Sequence, residues 1–334
     1  NAANVSHYLS ARGRGRYEYK NPEEGRSTNE FQWHDTTLFY AGPVGRNYAG
    51  FSELEWEAED EIALTASISG VWGQPDHFTT VRVGQFHTLS RVSFGGFDRP
   101  TGISTPAIRS ANLTNDVKFT LGADQRGLEV AHIFKLPFMP ERSRMIAQVT
   151  NGVDDAGKGV EGEIDAQKDY TVAFEQILDD RASGFTLLYY SGTYHSDPIL
   201  PATSRFGFQR YGATFAGVLP VGFEIQGGYI RSADDPAADG VDTVNGNAYY
   251  LELEQYFAPT ELTALARYDF VDPNDESKAK DDRTSIITVG VVKPLQEWLR
   301  LAVEGSSTTK EETISVSGEE TTDNKVVAEL MLNF

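Results

Sequence analysis

The feature that most constrains this chain is an alternation of apolar and polar residues with a period of two, repeated from one end to the other. It is clearest in Gly222 to Ile230, Asn247 to Phe257, Glu261 to Phe270 and Lys325 to Phe334. A period of two places alternate side chains on opposite faces of an extended strand, and no stretch carries a helical period of comparable strength. In the last stretch Val326, Ala328, Leu330, Leu332 and Phe334 share one face, with Glu329 and Asn333 on the other. A chain made this way folds into sheets.

About 16 such segments can be counted. They fall near 8–20, 31–41, 46–58, 61–72, 79–89, 119–135, 143–151, 168–178, 184–194, 205–219, 222–232, 246–258, 261–271, 283–294, 298–307 and 324–334. The segment 119–135 is taken as one long bent strand. Most run longer than the ~5–6 residues of an ordinary globular strand, and they reach the ~9–11 that a tilted strand needs to cross a bilayer. Short connections such as GPVG (42–45), LPVG (219–222) and APT (258–260) alternate with longer ones, 59–60 being the weak member. All 14 prolines fall in connections or at strand ends, as a sheet without free edges requires.

Charge follows the same division. The chain carries −20, and segments 152–167, 233–245, 272–282 and 308–323 together supply −15 of it. Acid is thus expected at one end of the sheet, with a nearly neutral middle. Strong negative charge argues against nucleic acid as a partner. The 15 Tyr and 19 Phe against 3 Met suit aromatic girdles at two membrane interfaces. No run approaches the ~20 apolar residues of a spanning helix, which leaves strands as the means of crossing. With no cysteine, disulfides, thiolate metal sites and attached c-type haem are excluded. If the chain is exported, Asn1 is expected to begin a mature sequence whose targeting segment has been removed.

The expected fold is therefore all-β: a single domain over 1–334, a transmembrane antiparallel up-and-down barrel of about 16 strands. Its outward faces are read strand by strand. Ile62, Leu64, Ala66 and Ile68 oppose Thr65, Ser67 and Ser69. Tyr170, Val172, Phe174 and Leu178 oppose Thr171, Ala173 and Glu175, and Leu262, Ala264, Ala266, Tyr268 and Phe270 oppose Thr263, Arg267 and Asp269. Alternation alone does not separate a lipid-facing barrel from a soluble acidic β-protein. The strand lengths, the connections and the terminal Phe334 favour the barrel; a terminal aromatic on an alternating strand resembles the recognition signal of outer-membrane barrel assembly.

Candidate functional residues are the charges that such a barrel must turn inward. Arg12, Arg14 and Arg16 share one face of the first strand; facing lipid they would cost several kcal/mol, so they are expected to form a ladder in the lumen. Glu53, Glu55 and Glu57 share one face of the third. Arg82, Arg210, Arg267 and Arg300, with Glu175, Glu252, Glu254 and Glu304, are further lumen charges. A basic arc opposed to an acidic arc would set a transverse field. The longest connection, 90–118, differs from its acidic neighbours: Arg91, Arg99, Arg109 and Lys118 against Asp98 and Asp116 give +2. Its Phe94, Phe97, Ile103 and Ile108 are suited to pack on a wall, so it is expected to fold into the lumen and narrow it.

VRVGQF (81–86), GGFDRPTG (95–102), RGLEVAHIF (126–134) and MIAQVTNG (145–152) together resemble the phosphate-selective-porin-like group of outer-membrane porins. The likeness is good over roughly 79–195 and is one of pattern elsewhere. It implies a 16-stranded channel, usually a homotrimer, with the third long loop inside the pore and Arg12, Arg14 and Arg16 as a lumen arginine ladder. The scarcity of lysine, with no lysine cluster near the pore, departs from a phosphate-selective pattern.

The function expected is a porin of the bacterial outer membrane, in contact with lipid and lipopolysaccharide, passing small polar or ionic solutes between Arg and Glu walls. A second reading is the barrel sheath of a porin–cytochrome electron-transfer complex, any haem being supplied by a multihaem cytochrome partner. A third is a soluble acidic β-protein or an enzyme built on a barrel. The six histidines show no HExxH or other close ligand spacing, and GxSxG, P-loop and dinucleotide fingerprints are missing. No enzyme activity, metal or cofactor is therefore expected.

Overall fold

The computed structural model describes residues 8–23, 25–57, 62–87, 102–109, 124–139, 141–152, 168–179, 183–195, 205–219, 222–235, 243–273, 283–312 and 319–334. Sixteen strands lie among them. They are β1 (Leu9–Asn21), β2 (Thr28–Pro43), β3 (Tyr48–Glu57), β4 (Ile62–Gln74), β5 (His77–His87), β6 (Asp124–Lys135), β7 (Arg142–Thr150) and β8 (Asp169–Ile177). They continue as β9 (Gly184–His195), β10 (Arg205–Val218), β11 (Phe223–Asp234), β12 (Val244–Phe257), β13 (Leu262–Asp272), β14 (Arg283–Gln296), β15 (Leu299–Glu312) and β16 (Glu319–Asn333). Each pairs antiparallel with its neighbours in sequence, and β1 pairs with β16, closing the barrel.

Closure is set in register by ten consecutive pairs, from Arg12 opposite Asn333 to Asn21 opposite Asn324. The seam continues past the last strand: Phe334 donates its N–H to the Ala11 carbonyl (2.8 Å) and accepts the Ala11 N–H (2.9 Å). The Phe334 ring stacks on Trp298 at 6.3 Å. Every strand edge is thus occupied, which removes the unpaired row that an open sheet presents.

The faces follow the alternation. Leu64, Ile68, Val83, Leu128, Val172, Leu187, Ile287 and Val289 are exposed on the outside, whereas Thr65, Ser67, Glu129, Thr171, Thr186 and Thr288 are buried. Two rows of aromatic rings bound the apolar band. At one end Tyr229 lies opposite Tyr249, and Tyr249 opposite Phe270, with Tyr249 stacked on Phe270 at 5.0 Å. At the other end stand Tyr48 against Trp72 (5.9 Å), Phe257, and Trp298 against Phe334. Tyr249 and Phe257 are eight residues apart on β12. At ~3.4 Å per residue and a tilt of ~40°, that is a vertical span of about 20 Å, close to the band of a spanning barrel.

The connections of two to six residues at 44–47, 75–76, 136–141, 178–183, 219–222, 258–261 and 297–298 share one end, here the turn end, with the first residues of β1 and the last of β16. The other eight connections share the loop end. Lengths overlap more than the sequence suggests: 22–27, 58–61 and 313–318 on the loop end are as short as turns. The expected connection 308–323 is instead largely strand, since β15 and β16 pair as far as Glu312 opposite Glu319. Polar residues face both sides there, and pairing persists because backbone bonds do not need an apolar face once the strands leave the band. The strand expected from Phe119 begins at Asp124, with 119–123 outside the described residues. Pro294 falls within β14 and not in a connection, at a register shift before Gln296; a bulge is where a sheet tolerates a residue without N–H.

Closure can be tested chemically, because the chain has no cysteine of its own. Tyr17 and Ala328 are directly opposed across the β1–β16 seam. The double variant Tyr17→Cys/Ala328→Cys is expected to oxidise to an intramolecular disulfide, seen as a reductant-sensitive mobility change. The pair Tyr17→Cys/Leu253→Cys, on strands far apart round the ring, should stay reduced.

Candidate pore constriction and charged lumen wall

Residues 102–109 lie against the inner wall between β11 and β15 and end in a single 3-10 turn, Ala107–Arg109. A backbone inside a barrel needs partners for its N–H and C=O groups, and inward carboxylates and one arginine supply them. Glu304 on β15 accepts the N–H groups of Ile103 (2.5 Å) and Ser104 (2.9 Å) and the Ser104 hydroxyl (2.7 Å). Asp269 on β13 accepts the Ala107 N–H at 2.8 Å. Arg267, two residues earlier on β13, donates to the Ser104 carbonyl (3.0 Å), the Ser104 hydroxyl (2.8 Å) and the Thr105 carbonyl (3.3 Å). It also donates to Asp269 (2.8 Å) and Glu252 (3.1 Å), so its guanidinium is satisfied on every side. Arg300 reaches the Gly102 carbonyl at 3.5 Å.

Gly102 is needed at this point. A Cβ there would sit 1.7 Å from Glu304 Oε1 and 2.8 Å from Leu265 Cδ2. Farther on, the contact is apolar: Ile108, 1% exposed, belongs to a cluster with Ala131, Ile146, Ala173, Leu188, Ile230, Ala248 and Tyr250. A uniformly polar inner wall is expected from the alternation, but this patch of it is apolar. The patch matches the apolar side of the inserted segment and would be costly to expose to a lumen full of water. Ile103 and Ile108 are thus located as packing residues; Phe94 and Phe97 lie outside the described residues, as do Arg91, Asp98 and Arg99. Arg109 closes the 3-10 turn beside the wall.

The arginine ladder lies on the β1 face turned into the lumen. Arg14 pairs with Asp35 on β2, its Nε donating at 2.6 Å, and Arg12 donates to Thr37 at 3.0 Å and approaches Glu55 at 3.4 Å and Glu53 at 4.0 Å. Arg16 donates to Glu329 on β16 at 2.7 Å, and Arg300 on β15 lies 3.5 Å from the same carboxylate. Glu57 is exposed at the loop end of β3. The expected basic and acidic arcs are therefore not opposed. They are neighbouring columns joined by ion pairs, because strands ~5 Å apart let an arginine reach a carboxylate on the next strand. Lys20 and Lys325, register partners, both bind Glu18 near the loop end, so a lysine pair does sit on the lumen wall.

The remaining lumen arginines are each held by an acid. Arg82 pairs with Glu129 (2.8 Å), which also accepts from Gln148 (2.7 Å). Arg210, fully buried, pairs with Asp234, and Arg144 with Glu175. Exposure divides the wall. Arg82, Arg210 and Arg267 have side chains 0–8% exposed, while Arg12, Arg14, Arg16 and Arg300, with Glu53 and Glu55, are 15–26% exposed. The wetter side of the lumen is the β1–β3 and β15–β16 wall, away from Ile108.

Asp35, Asp234, Asp269 and Glu329 are structurally central yet hard to single out in sequence. Asp35 was signalled by a shift of parity: apolar Phe31 and Trp33 are odd, Leu38 and Tyr40 even. That shift is the bulge at His34, where Arg14 opposes Asp35 and Gly15 opposes Trp33. Asp234 looks like part of an acidic connection but ends β11 facing inward.

Neither a family model nor a curated protein matches the chain. Solved structures do. An anion-selective porin from Comamonas acidovorans superposes with a TM-score of 0.67 at 13% identity, covering 98% of both chains. OmpT, an outer membrane protein of Vibrio cholerae, in a trimer form, gives 0.61 at 12%, covering 98% of this chain and 99% of that one. The outer membrane channel DcaP of Acinetobacter baumannii gives 0.60 at 11%, covering 98% and 96%. These likenesses establish the 16-stranded porin fold.

The contacts of Glu304 predict that its replacement frees the inserted segment. In Glu304→Ala the amides of Ile103 and Ser104 should exchange with solvent at least about tenfold faster, the ~1.4 kcal/mol expected for loss of a charge-assisted bond. Hydrogen exchange read by mass spectrometry over 102–109 checks this; unchanged protection would refute it.

Proposed function

We propose that this protein is an outer-membrane porin, a passive channel for small polar or ionic solutes. The observation that carries the reading is the inversion of burial: charged and hydroxyl side chains line the inside, while large apolar side chains stand exposed round the whole outside between two aromatic rows. In water so large an apolar surface would drive aggregation; in a bilayer it is the expected lipid face. The outer face of the band is then in contact with lipid, and its loop end with lipopolysaccharide. The neighbour described in a trimer form supports a homotrimer.

The inserted segment 102–109, as part of the longer 90–118 connection, narrows the lumen, and the solute path runs along the Arg12–Arg14–Arg16 column with Arg300, Glu53 and Glu55. Arg82, Arg210 and Arg267 stabilise the wall or the inserted segment and do not line the path. The fold and the charged lumen support a channel over an enzyme. A sheath round a multihaem cytochrome is disfavoured, because the chain's own segment already occupies part of the lumen that such a partner would fill.

Purified protein added to planar bilayers should produce discrete conductance steps, and their absence at every protein concentration would sink the reading. Glu304→Ala should enlarge the step or make it noisy as the segment loosens. The lipid face makes a second prediction. Val289→Arg, on an outward position that is 55% exposed, should cost about 2–4 kcal/mol in unfolding measured in lipid vesicles. Val289→Leu should be near neutral in the same assay.

A further inference from the structure

From where the uncompensated charge lies, we infer that the channel selects cations over anions at low ionic strength, and that the selecting element is its loop-end vestibule and not the arginine ladder. The inference rests on the porin reading and adds the sign of the permeant ion. Two independent observations carry it.

The first concerns the inside. Taken from the sequence, the ladder invites the opposite conclusion, an anion path. In the structure its cations do not act as free charge. Arg12 and Arg14 share Asp35, Glu53 and Glu55, and Arg16 and Arg300 share Glu329. Four arginines meet four carboxylates within 4.0 Å. The first group carries −1 and the second +1, so the set as a whole is neutral and its field falls off faster than that of a net charge. Lys20 and Lys325 both hold Glu18, which leaves a single positive charge near the loop end.

The second concerns the two ends. Counted between the observed strands, the eight loop-end connections carry −11, with 88–123 contributing +2 and 58–61 contributing −3 through Glu59, Asp60 and Glu61. The seven turn-end connections hold six acids against two cations, or −4. Among the described residues at that end, exposed Glu23, Glu30, Glu57, Asp235 and Glu311 stand against exposed Lys20, Arg26, Arg126 and Lys310, and Glu23 accepts the Thr322 N–H and donates its own to Asp323. A ring of net negative charge round a mouth raises the local cation concentration and depletes anions. Its reach is one Debye length, about 10 Å at 0.1 M and about 3 Å at 1 M, so the preference must weaken as salt rises. A filter made by close contact inside the constriction would be screened much less.

The test is the reversal potential across planar bilayers under a tenfold KCl gradient, at mean concentrations near 0.05 M and near 1 M. The expected result is a potassium preference of about threefold or more at low salt, falling towards unity at high salt. The vestibule variant Glu30→Gln/Glu57→Gln/Glu311→Gln/Asp323→Asn should keep its conductance steps at high salt and lose at least half of the low-salt preference. Chloride preference at low salt, or a ratio near one at both concentrations, overturns the inference while leaving the porin standing. A cation preference that the vestibule variant retains overturns the assignment to the vestibule. Absence of conductance in every condition removes the porin reading itself.

Discussion

A strand that crosses hydrocarbon has no water to satisfy its backbone, so every N–H and C=O on both edges must be paired within the sheet. That constraint organises this protein. It requires β1 to find β16, and the ten-residue register from Arg12–Asn333 to Asn21–Asn324 is the solution. Closure in turn gives every strand an inside and an outside. The period of two then acts with full force, since slipping the register by one residue would turn Arg12, Arg14 and Arg16 into lipid. The charged ladder is thus also a penalty against the wrong closure.

Inside the ring the same physics works in miniature. Residues 102–109 carry backbone groups into a space without a sheet edge to accept them. Glu304, Asp269 and Arg267 take the place of that edge, with Glu252 holding Arg267 in position. Removing one member leaves another charge buried without its partner, which is costlier than losing a hydrogen bond. Ile108 on the apolar patch of the wall completes the attachment. One side of the segment is held by charge and the other by exclusion of water, so a change of salt alone would not release it.

Much of this was legible in the residues. Strand number, face and most boundaries follow from alternation, because a closed sheet in lipid leaves few positions where the pattern can be broken. The inward turn of Arg12, Arg14, Arg16, Arg82, Arg210, Arg267 and Arg300 follows from the cost of the alternative. What could not be read is which charge meets which. Arg14 with Asp35, and Arg16 with Glu329, are decided by register across strands far apart in sequence, and by a bulge at His34 that a strict period of two does not contain. The tall β15–β16 pair was also hidden, since SSTTKEE and EETTDN carry no apolar face. Outside the hydrocarbon layer backbone pairing needs none.

The pairing of the ladder also changes what a change of composition would mean. If arginines and carboxylates stood on opposite walls, removing one arginine would weaken a field across the whole lumen. As neighbouring columns, they respond locally. Loss of Arg16 leaves Glu329 to Arg300 alone, and loss of Asp35 leaves Arg12 and Arg14 to share Glu53 and Glu55. Arg12 and Arg14 with three carboxylates carry −1 and Arg16 and Arg300 with one carry +1, so each deletion neutralises its own group and leaves the other unbalanced on the wetter wall. A single neutral substitution therefore gives the whole network a net charge, positive on loss of a carboxylate and negative on loss of an arginine, without adding any charged residue. The wall behaves as two unequal groups that compensate each other, and the direction of its field is decided by whichever group is left unbalanced.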